Sequence, residues 1–240
     1  MRMNQRLEKK YHLDLAQYYC VRNAIRQHMV PDTYSRLKDG RYLVRSLYFD
    51  TADFQAYTER NHGLFGRIKL RIRTYCDQAG ESPVIVAEIK SKKGNLMEKY
   101  GSLVPYSRYL QFLQSNSWQS PADPVLNEFE RLIRVRMLQP QLLVQYWREG
   151  YRCRQSSDLR ITLDHNVHSA RAKEVFPGDL LLKPHRPRYI TLEIKTPARK
   201  EPAWLQALVR QHGLRITSNS KYVQGIEVIR PNMITPRPVT

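Results

Sequence analysis

A short segment of this chain alternates basic and aliphatic residues in a way that suits phosphate binding. In Arg67–Arg73, the odd positions carry Arg67, Lys69, Arg71 and Arg73, and the even positions are aliphatic. Alternate side chains of a β-strand share one face, so these four charges would lie about 7 Å apart in a row. One arginine guanidinium can bind two phosphate oxygens at once, and it stays charged in confined sites. Lysine adds a compact positive charge. The segment therefore predicts a cationic strand face.

The same alternation recurs in other short segments, where it includes carboxylates. The charged positions are Arg6, Glu8, Lys10, Glu88, Lys90, Arg160, Asp164, Glu193 and Lys195. Two explanations of the three glutamates remain open. They neutralise neighbouring cations, or they hold a divalent cation that bridges phosphate oxygens.

Two interpretations also compete for the charged faces. A single half-exposed strand normally turns its charges toward water and its aliphatics toward the core. Here, however, nearly every polar position carries a full charge in several strands, and such a surface would repel itself without counter-charge. If the strands close into a barrel with these faces inward, the aliphatics pack outward against helices and the lumen becomes a basic tunnel. The recurrence favours the barrel.

Composition limits the partners and the compartment. Lys and Arg number 40 against 22 Asp and Glu, a net charge of +18, which predicts a polyanionic partner or an anionic surface. Cys20, Cys76 and Cys153 lack the spacing of a zinc site or a disulfide framework. No apolar stretch is long enough to span a membrane, so we expect a cytoplasmic protein, or one peripheral to a membrane. The tyrosines alternate with aliphatics, which indicates packing, and no nucleic-acid partner is expected.

Hydrophobic periodicity predicts more strands than helices. Helices are expected over Leu15–His28 with Asp14 as cap, from Pro124 with Asp123 as cap, and over Pro202–His212. A helix beginning near Ser218 would offer backbone N–H groups to a phosphate, although Ser218–Lys221 is equally consistent with a plain helix cap. The predicted strands are Gln5–Tyr11, Leu43–Phe49, Arg67–Tyr75, Val84–Ser91, Leu142–Tyr151, Leu159–Asp164 and Tyr189–Thr196. The pattern indicates an α+β fold with a mainly antiparallel sheet, as one domain over 1–230 with a loose tail over 231–240.

Seven short motifs in order resemble one known family. They are RLEKKY at 6–11, RSLYFDT at 45–51, RIKLRIRTY at 67–75, EIK at 88–90, RITLD at 160–164, EIK at 193–195 and SKY at 220–222. Together they resemble the VTC (vacuolar transporter chaperone) polyphosphate polymerase domain of the triphosphate tunnel metalloenzymes. The resemblance implies an eight-stranded antiparallel β-barrel, the triphosphate tunnel, with flanking helices. It also implies a Mn²⁺ or Mg²⁺ cofactor and triphosphate substrates such as ATP.

The resemblance assigns roles to particular residues. Arg71, Arg73, Arg160 and Lys221 are expected to be catalytic. Glu193 is expected to bind the metal, with Glu88 and Glu8 as supporting carboxylates. Arg148 either binds phosphate or packs on the aromatic residues before it. The expected substrate-binding residues, including Lys69 and Lys195 from the charged faces, are Lys10, Arg60, Lys69, Lys90, Lys99, Arg148, Lys195 and Ser220.

One departure bears on the reaction. The hydrolytic, CYTH-like branch of the superfamily begins with Glu-x-Glu-x-Lys, and here Arg6 replaces the first glutamate. Hydrolysis must activate a water, whereas the end of a phosphate chain is already an oxyanion. We therefore expect a polyphosphate polymerase that transfers the terminal phosphoryl group of ATP or another triphosphate onto polyphosphate, with a membrane protein as a further partner. A triphosphatase of the same fold and a non-catalytic polyphosphate-binding module remain as alternatives.

Overall fold

The computed structural model describes residues 6–63, 66–79, 83–94, 96–154, 159–197, 201–218 and 220–233. The strands are β1 (Arg6–Leu13), β2 (Met29–Pro31), β3 (Tyr42–Asp50), β4 (Gly66–Thr74), β5 (Ile85–Lys93), β6 (Leu96–Val104), β7 (Gln139–Cys153), β8 (Arg160–Ala170), β9 (Lys183–Pro184) and β10 (Ile190–Pro197). The helices are α1 (Leu15–His28), α2 (Thr33–Leu37), α3 (Gln55–Asn61), α4 (Tyr106–Ser115), α5 (Pro124–Arg136), α6 (Ala203–Gln211) and α7 (Lys221–Ile229).

The chain forms two compact units, each assembled from three segments. Unit 1 comprises Met1–Leu43, Tyr146–Val167 and Arg186–Ser220, and unit 2 comprises Val44–Gln145, His168–His185 and Lys221–Thr240. The three strands β3, β7 and β8 contribute residues to both units. The prediction of one domain over 1–230 is not tested by this division, and 234–240 of the predicted tail lie outside the described residues.

Unit 1 is built on antiparallel strands in the order β1-β10-β8-β7. The register aligns charged residues across neighbouring strands: Lys10 lies opposite Glu193, and Glu193 lies opposite Thr162. Two residues further along, Glu8, Lys195 and Arg160 form a second aligned row. The apolar residues between them join α1 and α6 in one core that includes Val21, Ile25, Leu163, Ile194 and Leu205.

A buried carboxylate fastens α1 to strand β7 within unit 1. Glu149 accepts hydrogen bonds from the Tyr18 hydroxyl at 2.6 Å and from Arg22 Nε at 2.9 Å. It also accepts from Arg41 Nε at 2.9 Å and the Tyr151 hydroxyl at 2.9 Å. Burial and the Glu149 carboxylate raise the pKa of Tyr18 to about 12. The charge of Glu149 is therefore fully compensated, as a buried carboxylate requires.

Unit 2 carries the antiparallel order β3-β4-β5-β6, with β7 hydrogen-bonded to β3. Its core contains the even-numbered aliphatics of β4, Leu70 and Ile72, packed with aromatic residues of α4 and α5. Phe112 stacks on Trp118 with ring centroids 3.9 Å apart, and Phe129 meets Trp118 edge to face at 5.8 Å. The aliphatic face of β4, the predicted cationic strand, therefore packs in the hydrophobic core of unit 2.

The expected α+β class with an antiparallel sheet and flanking helices is confirmed. In the described residues, the strands of unit 1 and those of unit 2 each pair in a linear order. The strand pairing therefore does not show the closed ring of the predicted barrel. The sequence pattern does not predict β2, β6, β9, α2, α3 and α4. No helix within the described ranges has the length and apolarity needed to cross a membrane.

Candidate functional site

Two rows of side chains form a charged face on the unit 2 sheet. In one row, Tyr48 lies opposite Arg71, Arg71 opposite Glu88, and Glu88 opposite Gly101. In the next row, Lys69 lies opposite Lys90, and Lys90 opposite Lys99. We call Tyr48, Arg71, Arg73, Glu88 and Lys99 the Arg71 cluster.

Three cations of the Arg71 cluster share one buried carboxylate. Arg71 Nε donates to Glu88 Oε2, Lys99 Nζ pairs with Glu88 Oε1, and Arg73 Nε lies 3.9 Å from Glu88 Oε2. Burial alone would raise the pKa of Glu88, but the charges of Arg71, Arg73 and Lys99 hold it well below its usual range. The carboxylate therefore stays ionised as the counter-ion of the cluster.

Burial decides between the two interpretations of the charged strand face. Arg71 is 8% exposed, Arg73 is 7% exposed and Glu88 is 1% exposed. A strand face directed at water would leave these side chains open, whereas here Arg71 and Arg73 are buried on one face of β4 and Leu70 and Ile72 on the other, while Arg67 and Lys69 are half-buried. The structure therefore favours a confined cationic site over a solvated surface.

Neutral side chains orient the two arginines of this cluster. Arg73 Nε donates to Ser46 Oγ at 3.1 Å, and Arg71 Nη1 donates to the Tyr48 hydroxyl at 3.3 Å. Both partners come from β3, the neighbouring strand. Arg71 is thus held through both Nε and Nη1, and Arg73 through Nε, so these contacts orient the two guanidinium groups before a ligand arrives.

The first turn of α7 adjoins the same unit. Lys221 is the first residue of the helix, and its charge acts on the Tyr48 hydroxyl. Tyr222 donates from its hydroxyl to Asp50, and Lys69 Nζ lies 4.7 Å from the Tyr222 ring centroid. The predicted helix start near Ser218 is displaced to Lys221; Ser220 directly precedes the helix, and Asn219 lies outside the described residues.

A second charged set lies in unit 1, and we call Glu8, Lys10, Glu193 and Lys195 the Glu193 cluster. Lys10 Nζ lies 2.7 Å from Glu8 and 3.8 Å from Glu193. Lys195 Nζ lies 2.7 Å from Glu193 and 3.9 Å from Glu8. Burial and the Glu193 charge would raise the pKa of Glu8, but Lys10 and Lys195 lower it overall. Two carboxylates and two ammonium groups thus alternate around one small area.

Arg148 and Asp164 form a bidentate ion pair in unit 1. Arg148 Nε donates to Asp164 Oδ1 at 2.6 Å, and Nη2 donates to Oδ2 at 2.8 Å. Burial alone would lower the pKa of Arg148, yet the Asp164 carboxylate raises it well above its usual value. The Arg148 guanidinium also lies 5.1 Å from the Tyr146 ring centroid. The structure thus shows a charged Arg148 that also contacts an aromatic ring. Whether Arg148 binds phosphate stays a prediction.

Arg160 is positioned by a loop aspartate. Its Nη2 lies 3.2 Å from Asp32 Oδ2 and 3.5 Å from the Tyr42 hydroxyl. Asp32 also caps α2 by accepting from the Ser35 backbone N–H at 2.9 Å. Gly150 makes room for this aspartate, because a Cβ there would lie 1.9 Å from Asp32 Oδ2.

Two carboxylates of unit 1 could hold the divalent cation implied by the resemblance. Mg²⁺ and Mn²⁺ sites in phosphate enzymes commonly use one or two carboxylates, completed by substrate oxygens and water. Glu8 and Glu193 share Lys10 and Lys195, so they supply such a pair in a place that already attracts cations. No group of three or more His, Cys, Asp or Glu in the described residues could hold an ion. Glu88 lies in unit 2, where it is the counter-ion of Arg71, Arg73 and Lys99.

The predicted site residues fall into separate sets. Arg71, Arg73, Glu88 and Lys99 come together in unit 2, on the sheet face that also carries Lys69 and Lys90. Lys10, Lys195, Glu8 and Glu193 come together in unit 1, where Arg148 and Arg160 each pair with an aspartate. The side chain of Arg60 in α3 lies outside the described residues. Each assigned role remains a prediction.

Sequence reasoning missed several partners of these cations. Asp164 was visible as a charged position of an alternating strand, but its pairing with Arg148 depends on strand order. Asp32 and Tyr48 carried no signal, because a lone aspartate before a short helix resembles a cap and a lone tyrosine resembles core packing.

The chain is similar to two solved structures and to one family of domains. The solved structure of a Bacillus halodurans protein, provisionally assigned as an adenylate cyclase, matches with a TM-score of 0.58 and 14% identity, over 92% of this chain and 97% of that chain. The PH1819 protein of Pyrococcus horikoshii matches with a TM-score of 0.46 and 14% identity, over 91% of this chain and 96% of that chain. No curated protein matches this chain. The first likeness shows the fold. The VTC domain profile matches residues 5–230, and the chain therefore belongs to the VTC domain family.

Proposed function

We propose that the chain is a metal-dependent polyphosphate polymerase, which transfers the terminal phosphoryl group of a nucleoside triphosphate such as ATP onto a polyphosphate chain. Membership of the VTC family supports a triphosphate-handling function. The observation that carries the proposal is the Arg71 cluster, in which three cations converge on the single carboxylate of Glu88. Two of these cations, Arg71 and Arg73, are buried, and Lys99 reaches the carboxylate from an exposed position. Three cations around one carboxylate would attract a phosphate chain.

The proposed reaction exchanges one phosphoanhydride bond for another. A terminal oxygen of the acceptor chain bonds to the γ-phosphorus of ATP. The bond from that phosphorus to the β–γ bridging oxygen breaks, and ADP leaves with the electron pair. Because the acceptor oxygen is already anionic, no side chain has to remove a proton from it. Alignment and charge neutralisation are the remaining tasks.

The cations of unit 2 suit these tasks. Arg71 and Arg73 are oriented by Tyr48 and Ser46, so they would grip non-bridging oxygens with little rearrangement. The row Lys69, Lys90 and Lys99 would hold neighbouring phosphates as point charges. The catalytic roles of Arg160 and Lys221 stay predictions that follow from the resemblance.

Glu8 and Glu193 would hold the metal. A Mn²⁺ or Mg²⁺ ion there would supply two positive charges to phosphate oxygens. The positive charges of Lys10 and Lys195, which pair with these carboxylates, would also attract phosphate. Glu193→Gln should therefore reduce turnover if the chain is a metal-dependent enzyme. If the chain is a metal-independent binding module, the same substitution should leave its affinity for polyphosphate unchanged or raise it.

A triphosphatase of the same fold is the second candidate. The proximity of the Glu8 and Glu193 carboxylates, which share Lys10 and Lys195, favours it, because water activation benefits from carboxylates and metal. The replacement of a third carboxylate by Arg6 favours transfer instead.

One experiment separates the candidates. The purified full-length chain is incubated with ATP and Mn²⁺, and the products are resolved on a polyacrylamide gel with a stain for polyphosphate. A polymerase gives a ladder of phosphate chains together with ADP. Free phosphate without a ladder indicates the triphosphatase, and unchanged ATP indicates a binding module.

A further inference from the structure

Tyr48 occupies a position in the Arg71 cluster that the proposed reaction has not yet used. It lies on β3 opposite Arg71, in the row that continues to Glu88. Its neighbour two residues earlier on the same face, Ser46, accepts from Arg73. The phenol is 9% exposed, so it is enclosed with the arginines.

The surroundings of the Tyr48 hydroxyl are cationic. It accepts a hydrogen bond from Arg71 Nη1 at 3.3 Å. Within the described residues, its own O–H proton has no acceptor. Arg71, Arg73 and Lys221, the charged groups that act on it from β4 and α7, carry donors and cannot accept this proton. An enclosed O–H group directed among cations is suited to an anion.

The ring of Tyr48 is held in place independently of its hydroxyl. Its centroid lies 5.3 Å from that of Tyr222, and the Tyr222 hydroxyl is fixed by Asp50. Arg71 also donates to Glu88 through Nε, so its guanidinium keeps a charged partner in the cluster when the Tyr48 hydroxyl is removed. The hydroxyl therefore has a fixed position and a proton available for a ligand.

We propose that the Tyr48 hydroxyl donates a hydrogen bond to a phosphate oxygen of the bound substrate, which makes Tyr48 a further phosphate-binding residue beside Arg71 and Arg73. This inference rests on the proposed function, because it presupposes a phosphate ligand at the Arg71 cluster. Donation from a hydroxyl to an anionic oxygen is among the stronger hydrogen bonds.

The electrostatic setting strengthens this donor. Burial alone would raise the pKa of Tyr48, but the charges of Arg71, Arg73 and Lys221 lower it below its ordinary value. A more acidic hydroxyl donates a stronger hydrogen bond, and after ionisation it would repel the same phosphate. Affinity for phosphate should consequently fall with rising pH as Tyr48 loses its proton.

The test is calorimetric titration of the full-length chain with tripolyphosphate, for the wild type, Tyr48→Phe and Tyr57→Phe. Tyr57 is a buried tyrosine of α3 in the same unit. Tyr57→Phe is therefore the matched control, because it also removes one buried hydroxyl. Tyr48→Phe should weaken binding about 10-fold or more, the usual loss for a hydrogen bond to a charged group. Tyr57→Phe should bind as the wild type does.

A pH series adds a result that a purely structural role would not produce. Between pH 8 and pH 10, roughly the range below the ordinary tyrosine value, wild-type affinity should decline more steeply than that of Tyr48→Phe. All other groups are common to the two proteins, so the difference between the two curves isolates Tyr48.

The outcomes are distinguishable. If the wild type fails to bind tripolyphosphate, the proposed function is wrong. If the wild type binds and Tyr48→Phe binds equally well with the same pH curve, the role of Tyr48 is wrong. Should Tyr48→Phe fail to fold, Tyr48→Gln, which keeps an N–H donor, is compared with Tyr48→Leu, and equal affinities of these two overturn the inference.

Discussion

At the residue scale, the molecule consistently compensates its buried charges, but to different degrees. Arg148 and Asp164 balance each other one to one, while Glu88 serves three cations. A balanced bidentate pair has little affinity left for a ligand, whereas an unbalanced cluster retains a net positive charge. This contrast is why we propose the Arg71 cluster, and not the Arg148–Asp164 pair, as the phosphate-binding site.

The Arg148–Asp164 pair gives the first prediction. Arg148→Met should lower the free energy of unfolding by about 3–5 kcal/mol, because it removes the bidentate cationic partner of the buried Asp164 carboxylate. Urea unfolding followed by circular dichroism measures this change. The double variant Arg148→Met/Asp164→Leu removes both charges and should recover most of the loss. A double variant as unstable as the single one would show that the ion pair is not the cause.

Glu88 gives the second prediction, which concerns pH. Its pKa is lowered in the folded chain, so the unfolded chain takes up a proton first as the pH falls. The stability due to this group is complete above its unfolded pKa of about 4.3 and is lost as the pH falls toward the lower folded pKa. The free energy of unfolding, measured in urea, should therefore fall less between pH 7 and pH 3.5 for Glu88→Gln than for the wild type. Equal losses would contradict the assignment of Glu88 as counter-ion.

At the element scale, local signals predicted those elements that begin with clear capping residues. The Asp14 side chain caps α1 together with Gln17, and Asp123 caps α5 with Pro124 at its first position. By contrast, α4 follows Pro105 without any side-chain cap. β6 contains Glu98, Lys99 and Gly101, and it forms a strand because it pairs along its whole length with β5. Such non-local pairing leaves no signature in the segment itself.

Strand β7 gives the third prediction, at Gly150. Gly150→Ala should destabilise the fold by roughly 2 kcal/mol or more, because the added Cβ would meet Asp32 Oδ2 at 1.9 Å. Displacement of Asp32 should also release Arg160. Adding Asp32→Gly removes the clashing atoms, so the double variant should be more stable than the sum of the single effects implies. Strict additivity in thermal unfolding would show that the two residues do not compete for space.

At the scale of the whole molecule, the sequence predicted the fold class and the charged strand faces, but not their electrostatic partners. Alternation in Arg67–Arg73 was sufficient to place Arg71 and Arg73 on one face. Their convergence on Glu88 depends on the order β3-β4-β5 and on its register, which combine residues distant in sequence. For the same reason, the pairing of Arg160 with Asp32, 128 residues away, could not be predicted.

The central claim is that the Arg71 cluster acts directly in phosphoryl transfer, and its most direct test is the rate of chain extension from ATP with an oligophosphate primer. Arg131→Ala, which removes an exposed arginine of α5, is the charge-matched control. We predict that Arg71→Ala extends chains at least about 100-fold more slowly than the wild type while remaining folded, and that Arg131→Ala keeps the wild-type rate. Chain extension by Arg71→Ala at the wild-type rate would contradict the account.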